Sequence, residues 1–517
     1  MSNEKTKIGK DVIESLTLAM YDDPKFIYRE YIQNSADQID IAVEEGLVDS
    51  IEDCKIEIKI DKIERKITII DDATGVPREK VLPILKSIAQ GVKDRTKHKG
   101  FRGIGRLGGL AYCDRLVFET SYAGEETISK LIWNAKELKQ IINDRSKKED
   151  AADVIDMITS LETDFEQAEK RYFKVILENV SNDELLNEEK IYDYLSMVAP
   201  VPYKKGFLFQ DKIYDKAKEY NHPIDEYNIY LNNNQIFKEY TTTIYEGEKH
   251  NKKRIDEIFD IEFFDIKDKS EQLLCWGWYS ISSFLKQIPS VNIARGIRLR
   301  KGNIQIGDEK QLVKLFREPR GSFYFFGEVH AVSPQLIPNA RRDYFTENEK
   351  LKTFEKELRK KFKELYELYH FSSKIRSEKK KIEKLTALKV EYKKKEERGF
   401  TKPEEKKEYE KKFEKLREEA EKAKEQIERI KNKVSNDEIK SKIVKKITDD
   451  IEDDAISKNN IANSNNNGKP KLLTDNLNKL NKKNRKLVGK ILSIIDNVLP
   501  KDLSDVVKQK IIEELNK

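Results

Sequence analysis

Cysteine and histidine are scarce in this chain: its 517 residues hold three of the first and five of the second. Cys54, Cys113 and Cys275 lie far apart without metal-type spacing, which excludes a cysteine-built metal site. An odd thiol count, with no apolar leader at the N-terminus, points to a reducing, cytoplasmic setting. No apolar run approaches the roughly twenty residues that cross a bilayer, so no membrane partner is expected. A dominant charge sign is also missing. Lys+Arg 100 against Asp+Glu 94 leaves +6 on a chain that is 38% charged. Most of that charge must be solvated helix surface, and nucleic acid is not favoured as a partner. Hydrophobic residues make up only 38%, and the deficit sits mainly in the C-terminal part.

What is present is concentrated in three stretches. In Tyr28-Arg-Glu-Tyr-Ile-Gln-Asn-Ser-Ala-Asp37, Glu30 and Asn34 are four apart and share one helix face, while Tyr31, Ile32 and Ile39 are free to pack behind them. A carboxylate and a carboxamide so placed can orient a water and a hard cation together. Alone, the pattern reads as readily as a solvated helix with incidental polar residues. Ile67-Thr-Ile-Ile-Asp-Asp-Ala-Thr-Gly-Val-Pro77 is an apolar strand that delivers Asp71 to a tight turn; a turn formed by the two carboxylates is the plainer alternative. Lys99-Gly-Phe-Arg-Gly-Ile-Gly-Arg-Leu-Gly-Gly-Leu110 is glycine-rich and runs into a small-residue helix. Gly100, Gly103 and Gly105 would let successive N–H groups converge on phosphate oxygens. No Gly-Lys-Ser/Thr follows, so this is not a Walker A loop.

In that order and spacing, the three stretches resemble the N, G1 and G2 boxes of the GHKL ATPases. That superfamily includes gyrase-type topoisomerases, the ninety-kilodalton heat-shock chaperones, histidine kinases and MutL mismatch-repair proteins. The resemblance covers roughly residues 8–345. It implies an α/β fold: a Bergerat-fold ATPase sandwich plus an α/β transducer-like middle domain. It also implies ATP and Mg²⁺ as ligands and ATP hydrolysis to ADP and phosphate as the activity. Glu30 would activate the attacking water and Asn34 would ligate Mg²⁺. Asp71 would accept from the adenine amino group, with Gly75 letting the backbone approach the base. Asp37, Lys99, Gly100, Gly103 and Gly105 would complete the nucleotide site. Gly327–Asp343 resembles the chaperones' middle-domain segment, which puts Arg342 where an arginine reaches the γ-phosphate. Arg341 could equally be the reaching residue, and a surface arginine paired with Asp343 is the plain alternative. Two departures stand out: Ala73 replaces the first glycine of Asp-x-Gly-x-Gly, and Tyr172-Phe173 replaces a customary Gly-Thr.

No histidine precedes His98, which removes the histidine-kinase branch, and nothing resembles a strand-passage domain. A heat-shock-chaperone-like or MORC-like conformational ATPase remains, with a DNA-acting ATPase of MutL or MORC type and a nucleotide-gated scaffold of little turnover as alternatives. A role in phage defence is associated with stand-alone proteins of this look. The expected divisions are 1–200 for the ATP-binding domain, 201–346 for the middle domain, 347–458 for a charged helical coiled coil, 459–472 for a flexible linker and 473–517 for a helical tail. Pro200 and Pro202 punctuate the first boundary, and Ala135–Lys170 reads as a charged helical insertion. The apolar stripe Val488, Ile491, Leu492, Ile495 and Val498, continued to Leu515, should pack on itself or a partner. A homodimer through this tail, acting on an unidentified client protein, is the expected assembly.

Overall fold

Strand alternation seeds the first sheet. Lys55–Asp61 (β1) and Lys66–Asp71 (β2) pair antiparallel across a turn in which Arg65 has φ +47°. Their inward residues Ile56, Ile58, Ile60, Ile67 and Ile69 are buried. The computed structural model describes residues 8–17, 23–88, 105–146, 148–248, 251–449, 451 and 471–517. It divides into two compact units, one through Tyr366 and one from Glu367 to Lys517.

In the first unit, β1 and β2 are joined by Arg115–Ser121 (β3), Thr127–Asn134 (β4), Thr159–Phe165 (β5), Tyr172–Glu178 (β6), Asn228–Leu231 (β7) and Asn234–Gln235 (β8). The sheet order is β5-β4-β3-β6-β2-β1-β7-β8, antiparallel except where β7 lies parallel to β1. Residues 228–235 thus extend this sheet beyond the boundary expected near residue 200. The stretch expected as a helical insertion holds helices Ala135–Asn143 and Ala151–Ile158 but ends in β5, an edge strand exposed along most of its length. The helix Phe26–Glu44 packs on the sheet: Ile27, Tyr28, Tyr31, Ile32, Ala36 and Ile39 share one core with the isoleucines of β1 and β2.

Thr243–Glu246 (β9) and Lys253–Glu257 (β10) form a two-stranded ribbon. Asp260–Lys267 (β11), Leu273–Ile281 (β12), Gly296–Lys301 (β13), Ile304–Gln305 (β14) and Phe326–Ala331 (β15) form a second sheet, ordered β11-β12-β15-β13-β14. Its aromatic strand is core: Trp276 and Trp278 are both buried. Basic β13 is not a solvent face, since Arg298 and Arg300 are buried too. A fully buried carboxylate, Glu328 on β15, organises them. Arg300 Nε donates to it at 2.5 Å, Tyr203 OH at 2.6 Å, Tyr240 OH at 3.0 Å and Lys238 Nζ at 3.3 Å. Burial pulls His330, stacked on Trp276, down to about 4, so it stands neutral beside Glu328. Arg300 also reaches the Met197 carbonyl at the end of helix Glu188–Val198, which ties the sheet to the first half of the unit. Buried charge of this density is tolerated only when paired, and removing one partner costs several kcal/mol.

The helix Glu349–Arg398 runs into the second unit and is followed by Pro403–Lys433. There Ile382 and Leu385 pack against Ala420, Ala423 and Ile427. Gly399, at φ +109°, ends the first helix, and a Cβ there would lie 2.7 Å from the Leu472 backbone. Phe400 exchanges backbone hydrogen bonds with Lys471 and Leu473, so the end of the expected linker is anchored where the two long helices meet. Linker residues 459–470 lie outside the described residues. Helices Lys482–Val498 and Lys501–Asn516 follow. Leu492 is buried, but Leu487, Ile491, Ile494, Val498, Leu503 and Val506 stay exposed.

Candidate functional site

The helix that carries Glu30 starts after Asp23-Pro-Lys, where Asp23 Oδ1 accepts from the Lys25 N–H at 2.9 Å. It ends at Gly46, whose φ of +70° lets the Leu47 N–H return to the Ala42 carbonyl at 2.8 Å. Between them the helix is buried on nearly all sides. Arg29 is 1% exposed and Glu30 8%; Gln33, Ser35 and Asp37 are buried as well, and Asn34 is half-buried. Side chains of this polarity are not placed in a core without partners or purpose.

At one end of the helix, Glu30 meets the glycine-rich segment. Gly105 opens a short 3-10 helix, Gly105–Ala111, and a Cβ built on Gly105 would lie 2.3 Å from Glu30 Oε2. A side chain there would have to displace that carboxylate. Glu30 Oε1 accepts from Arg29 Nη2 at 3.3 Å, and the same nitrogen donates to the Arg341 carbonyl at 3.1 Å. Arg29 Nε and Nη1 are buried without an acceptor. Lys99, Gly100 and Gly103 lie outside the described residues.

One and a half turns on, Ser35 faces Asp71 at the end of β2. The Ser35 hydroxyl donates to Asp71 Oδ2 at 2.7 Å, and the Ala73 N–H donates to Oδ1 at 3.3 Å. Asp71 is 1% exposed, and burial pushes its carboxyl up to about 7 although both donors pull it down. The long bond to Oδ1 leaves that oxygen with acceptor capacity to spare. The turn beyond it is tightly held. Gly75 has φ +69°, and a Cβ there would lie 1.9 Å from the Ser121 carbonyl oxygen. The Thr74 hydroxyl donates to Gln38 Oε1 at 2.7 Å, and the Val76 N–H donates to Thr120 Oγ1 at 2.8 Å. Thr120 in turn donates to the Tyr172 carbonyl at 3.0 Å, so a threonine on β3 joins the turn after Gly75 to β6. Arg171 clamps the Asp72 and Ala73 carbonyls. Ala73 is buried and fits without a glycine.

The loop between Pro338 and Phe345, which bridge to each other, approaches from the second sheet. Arg341 is exposed, and its carbonyl is what meets Arg29. Arg342 is buried in the left-handed region at φ +55°; its N–H donates to the Asn339 carbonyl, and its own carbonyl accepts from Gly307. One contact joining this loop to the helix that carries Glu30 thus runs through the Arg341 backbone oxygen. Arg29, Ser35 and Thr120 escaped sequence reasoning because their partners are distant in sequence. The only available signal was the polarity of Arg29 and Ser35 beside Glu30 and Asn34.

Among the described residues no cluster of His, Cys, Asp or Glu could by itself hold a metal ion, and no helix is long and apolar enough to cross a membrane. Residues 28–164 match the family model for histidine kinase-, DNA gyrase B-, and HSP90-like ATPases. The chain is 25% identical over 143 residues to the chaperone protein HtpG of Buchnera aphidicola subsp. Acyrthosiphon pisum (strain APS), covering 24% of this chain and 23% of that protein. To HtpG of Burkholderia lata it is 28% identical over 143 residues, with 24% and 23% covered. To HtpG of Rickettsia akari (strain Hartford) it is 27% identical over 169 residues, with 29% and 27% covered. The chain spans about a quarter of the length of these curated relatives.

Proposed function

We propose, starting from residues 28–164 being a GHKL-type, HSP90-like ATPase domain, that this protein binds Mg-ATP along the helix Phe26–Glu44 and hydrolyses it in a conformational cycle of the heat-shock-chaperone kind. One observation carries the reading. A single helix sets Glu30 against Gly105 and, five residues on, ties Ser35 to Asp71. It thereby fixes the spacing between a water-activating carboxylate and an adenine-reading one. The residues fit a nucleotide. Asp71 Oδ1 can accept from an amino group, and the Nε and Nη1 nitrogens of Arg29 are buried without an acceptor.

Asp71 and Gly75 would hold the base, and Gly105 with Lys99, Gly100 and Gly103 the phosphates. Asp37, buried one turn from Asn34, would support that side of the site. Asn34 is the proposed ligand for Mg²⁺, which when bound neutralises phosphate charge. Glu30 takes or polarises the proton of the attacking water. Arg29 holds the Glu30 carboxylate in one orientation and registers it to the 338–345 loop. Arg342, on that loop, is the proposed stabiliser of transition-state charge, with Arg341 the alternative.

Calorimetric titration with Mg-ATP, followed by phosphate-release assays, tests the reading; a protein that takes up no ATP contradicts it. We further propose a homodimer through the exposed apolar stripe of the two C-terminal helices, serving a protein client in the cytoplasm. A role in phage defence rests on the resemblance alone, and plaque counts on cells with and without the gene would test it. One feature favours the DNA-acting alternative. Residues 471–490 hold Lys471, Lys479, Lys482, Lys483, Arg485, Lys486 and Lys490 against Asp475 alone. Lys482, Lys483, Lys486 and Lys490 are exposed. Salt-dependent stimulation of turnover by duplex DNA would select that alternative.

A further inference from the structure

Two consecutive residues of one helix read two glycines of another. Glu30 Oε2 stands 2.3 Å from where a Cβ of Gly105 would be, and Tyr31 OH stands 2.4 Å from where a Cβ of Gly109 would be. The second contact is polar. The Tyr31 hydroxyl accepts from the Gly109 N–H at 3.1 Å and donates to the Arg106 carbonyl at 3.0 Å. It thus closes on both ends of a turn within Gly105–Ala111, and it is buried, so no water replaces either bond at no cost.

Arg106 extends the arrangement. Its Nη2 donates to the Ile84 carbonyl at 2.8 Å and also to the Ser87 carbonyl. Among the described residues its guanidinium is engaged by backbone oxygens, and burial lowers its pKa to about 10. A cation held this way serves geometry, joining the segment at Ile84–Ser87 to the first turn after Gly105. The helix Phe26–Glu44, the 3-10 helix and the segment Ile84–Ser87 are then one connected set.

We infer that Tyr31 and Arg106 form a clasp that fixes Gly105 against Glu30, which makes both of them positioning residues for the hydrolysis proposed above. The inference rests on that reading. Neither residue needs to touch the nucleotide. Tyr31 holds the Arg106 carbonyl, Arg106 holds the preceding segment, and the two together fix the position of Gly105, which lies against the Glu30 carboxylate that Arg29 orients. A displacement of a fraction of an ångström at a water-activating group lowers turnover while leaving ground-state binding largely intact.

The test is Tyr31→Phe in full-length protein, measured in the wild-type and Glu30→Gln backgrounds. It combines single-turnover hydrolysis, calorimetry with a non-hydrolysable ATP analogue, and hydrogen exchange over residues 105–111. Loss of about one net hydrogen bond predicts kcat lower by roughly five- to tenfold, affinity changed by less than about twofold, and faster exchange at the Gly109 amide. In the Glu30→Gln background the same change should cost no further turnover, because the group it positions is gone. Arg106→Lys, which keeps the charge but cannot hold both carbonyls, should fall between wild type and Arg106→Ala; it carries the test if Tyr31→Phe does not fold. Wild-type kcat in Tyr31→Phe, equal losses in kcat and affinity, or the same loss in the Glu30→Gln background would each overturn the clasp. Wild-type protein that binds no ATP would overturn the functional reading and the clasp together.

Discussion

The hydroxyl of Ser35 donates to Oδ2 of Asp71 at 2.7 Å, linking the helix that carries Glu30 to the strand end proposed to read adenine. The bond does two things. It orients a carboxylate whose other oxygen is only weakly occupied, and it partly offsets the burial that raises its pKa to about 7.

A pH dependence follows. A carboxyl raised from its usual range to about 7 favours the folded state when protonated, so this group's contribution to stability is full at low pH and is lost as pH climbs from about 4 through 7. Binding has the opposite sign, because an amino donor stabilises the ionised carboxylate. ATP affinity should fall as pH drops from 8 to 6, with proton release on binding in that window. Asp71→Asn should abolish the release, weaken ATP by about 1–3 kcal/mol, and leave the apoprotein at least as stable as wild type at pH 8. Calorimetry in two buffers of different ionisation enthalpy, with melting curves across pH, measures all three.

Arg29 and Arg341 should behave unequally although they touch. The contact uses the Arg341 backbone oxygen, so Arg341→Ala should stay within about twofold of wild type. Arg29→Ala leaves Glu30 without its buried donor and should cost about 1.5–3 kcal/mol in turnover or stability. Equal loss in the two variants would mean that the Arg341 side chain reaches the site itself. Arg342→Ala, tested alongside, should lower kcat without weakening binding.

Gly75 leaves no latitude. Its φ of +69° and the Ser121 carbonyl 1.9 Å from a would-be Cβ make Gly75→Ala both strained and overpacked. A melting temperature lowered by several degrees, the effect of a few kcal/mol, is expected even without nucleotide. An unchanged melting curve would mean that the turn is not built as described.

Much of this was legible in the sequence, and the remainder was hidden for definable reasons. Local pattern placed Glu30 and Asn34 on one helix face and Asp71 at a strand end before a turn, while the roles proposed for them and for Gly75 came from the resemblance to the GHKL ATPases. Arg29 to Arg341 spans 312 residues and Ser35 to Asp71 spans 36, and no periodicity reports such pairs. β5 resembles helix in sequence because an edge strand exposed along most of its length shows no alternation. β7 has four residues, too few for a pattern, so the first sheet extends past the boundary that Pro200 and Pro202 suggest. The burial of the basic residues of β13 is not readable from that strand, because their partner Glu328 lies on β15.

The C-terminal helices yield a separate prediction. Six large apolar side chains exposed between Leu487 and Val506 are more than an isolated helix pair usually leaves in water. Light scattering should give a dimer at micromolar concentration, and Ile491→Lys with Ile494→Lys should give a monomer that still binds ATP. A monomeric wild type, with and without a non-hydrolysable ATP analogue, would remove this surface as the dimer contact.

Glu30, set near Gly105 on the helix Phe26–Glu44, is proposed to activate the water that attacks ATP. Phosphate release from wild type and Glu30→Ala, measured beside calorimetric titration of both with Mg-ATP, tests this role most directly. Both proteins should bind comparably, with release slowed by about a hundred- to ten-thousand-fold in the variant. Equal release from both proteins, or no binding by the wild type, would contradict it.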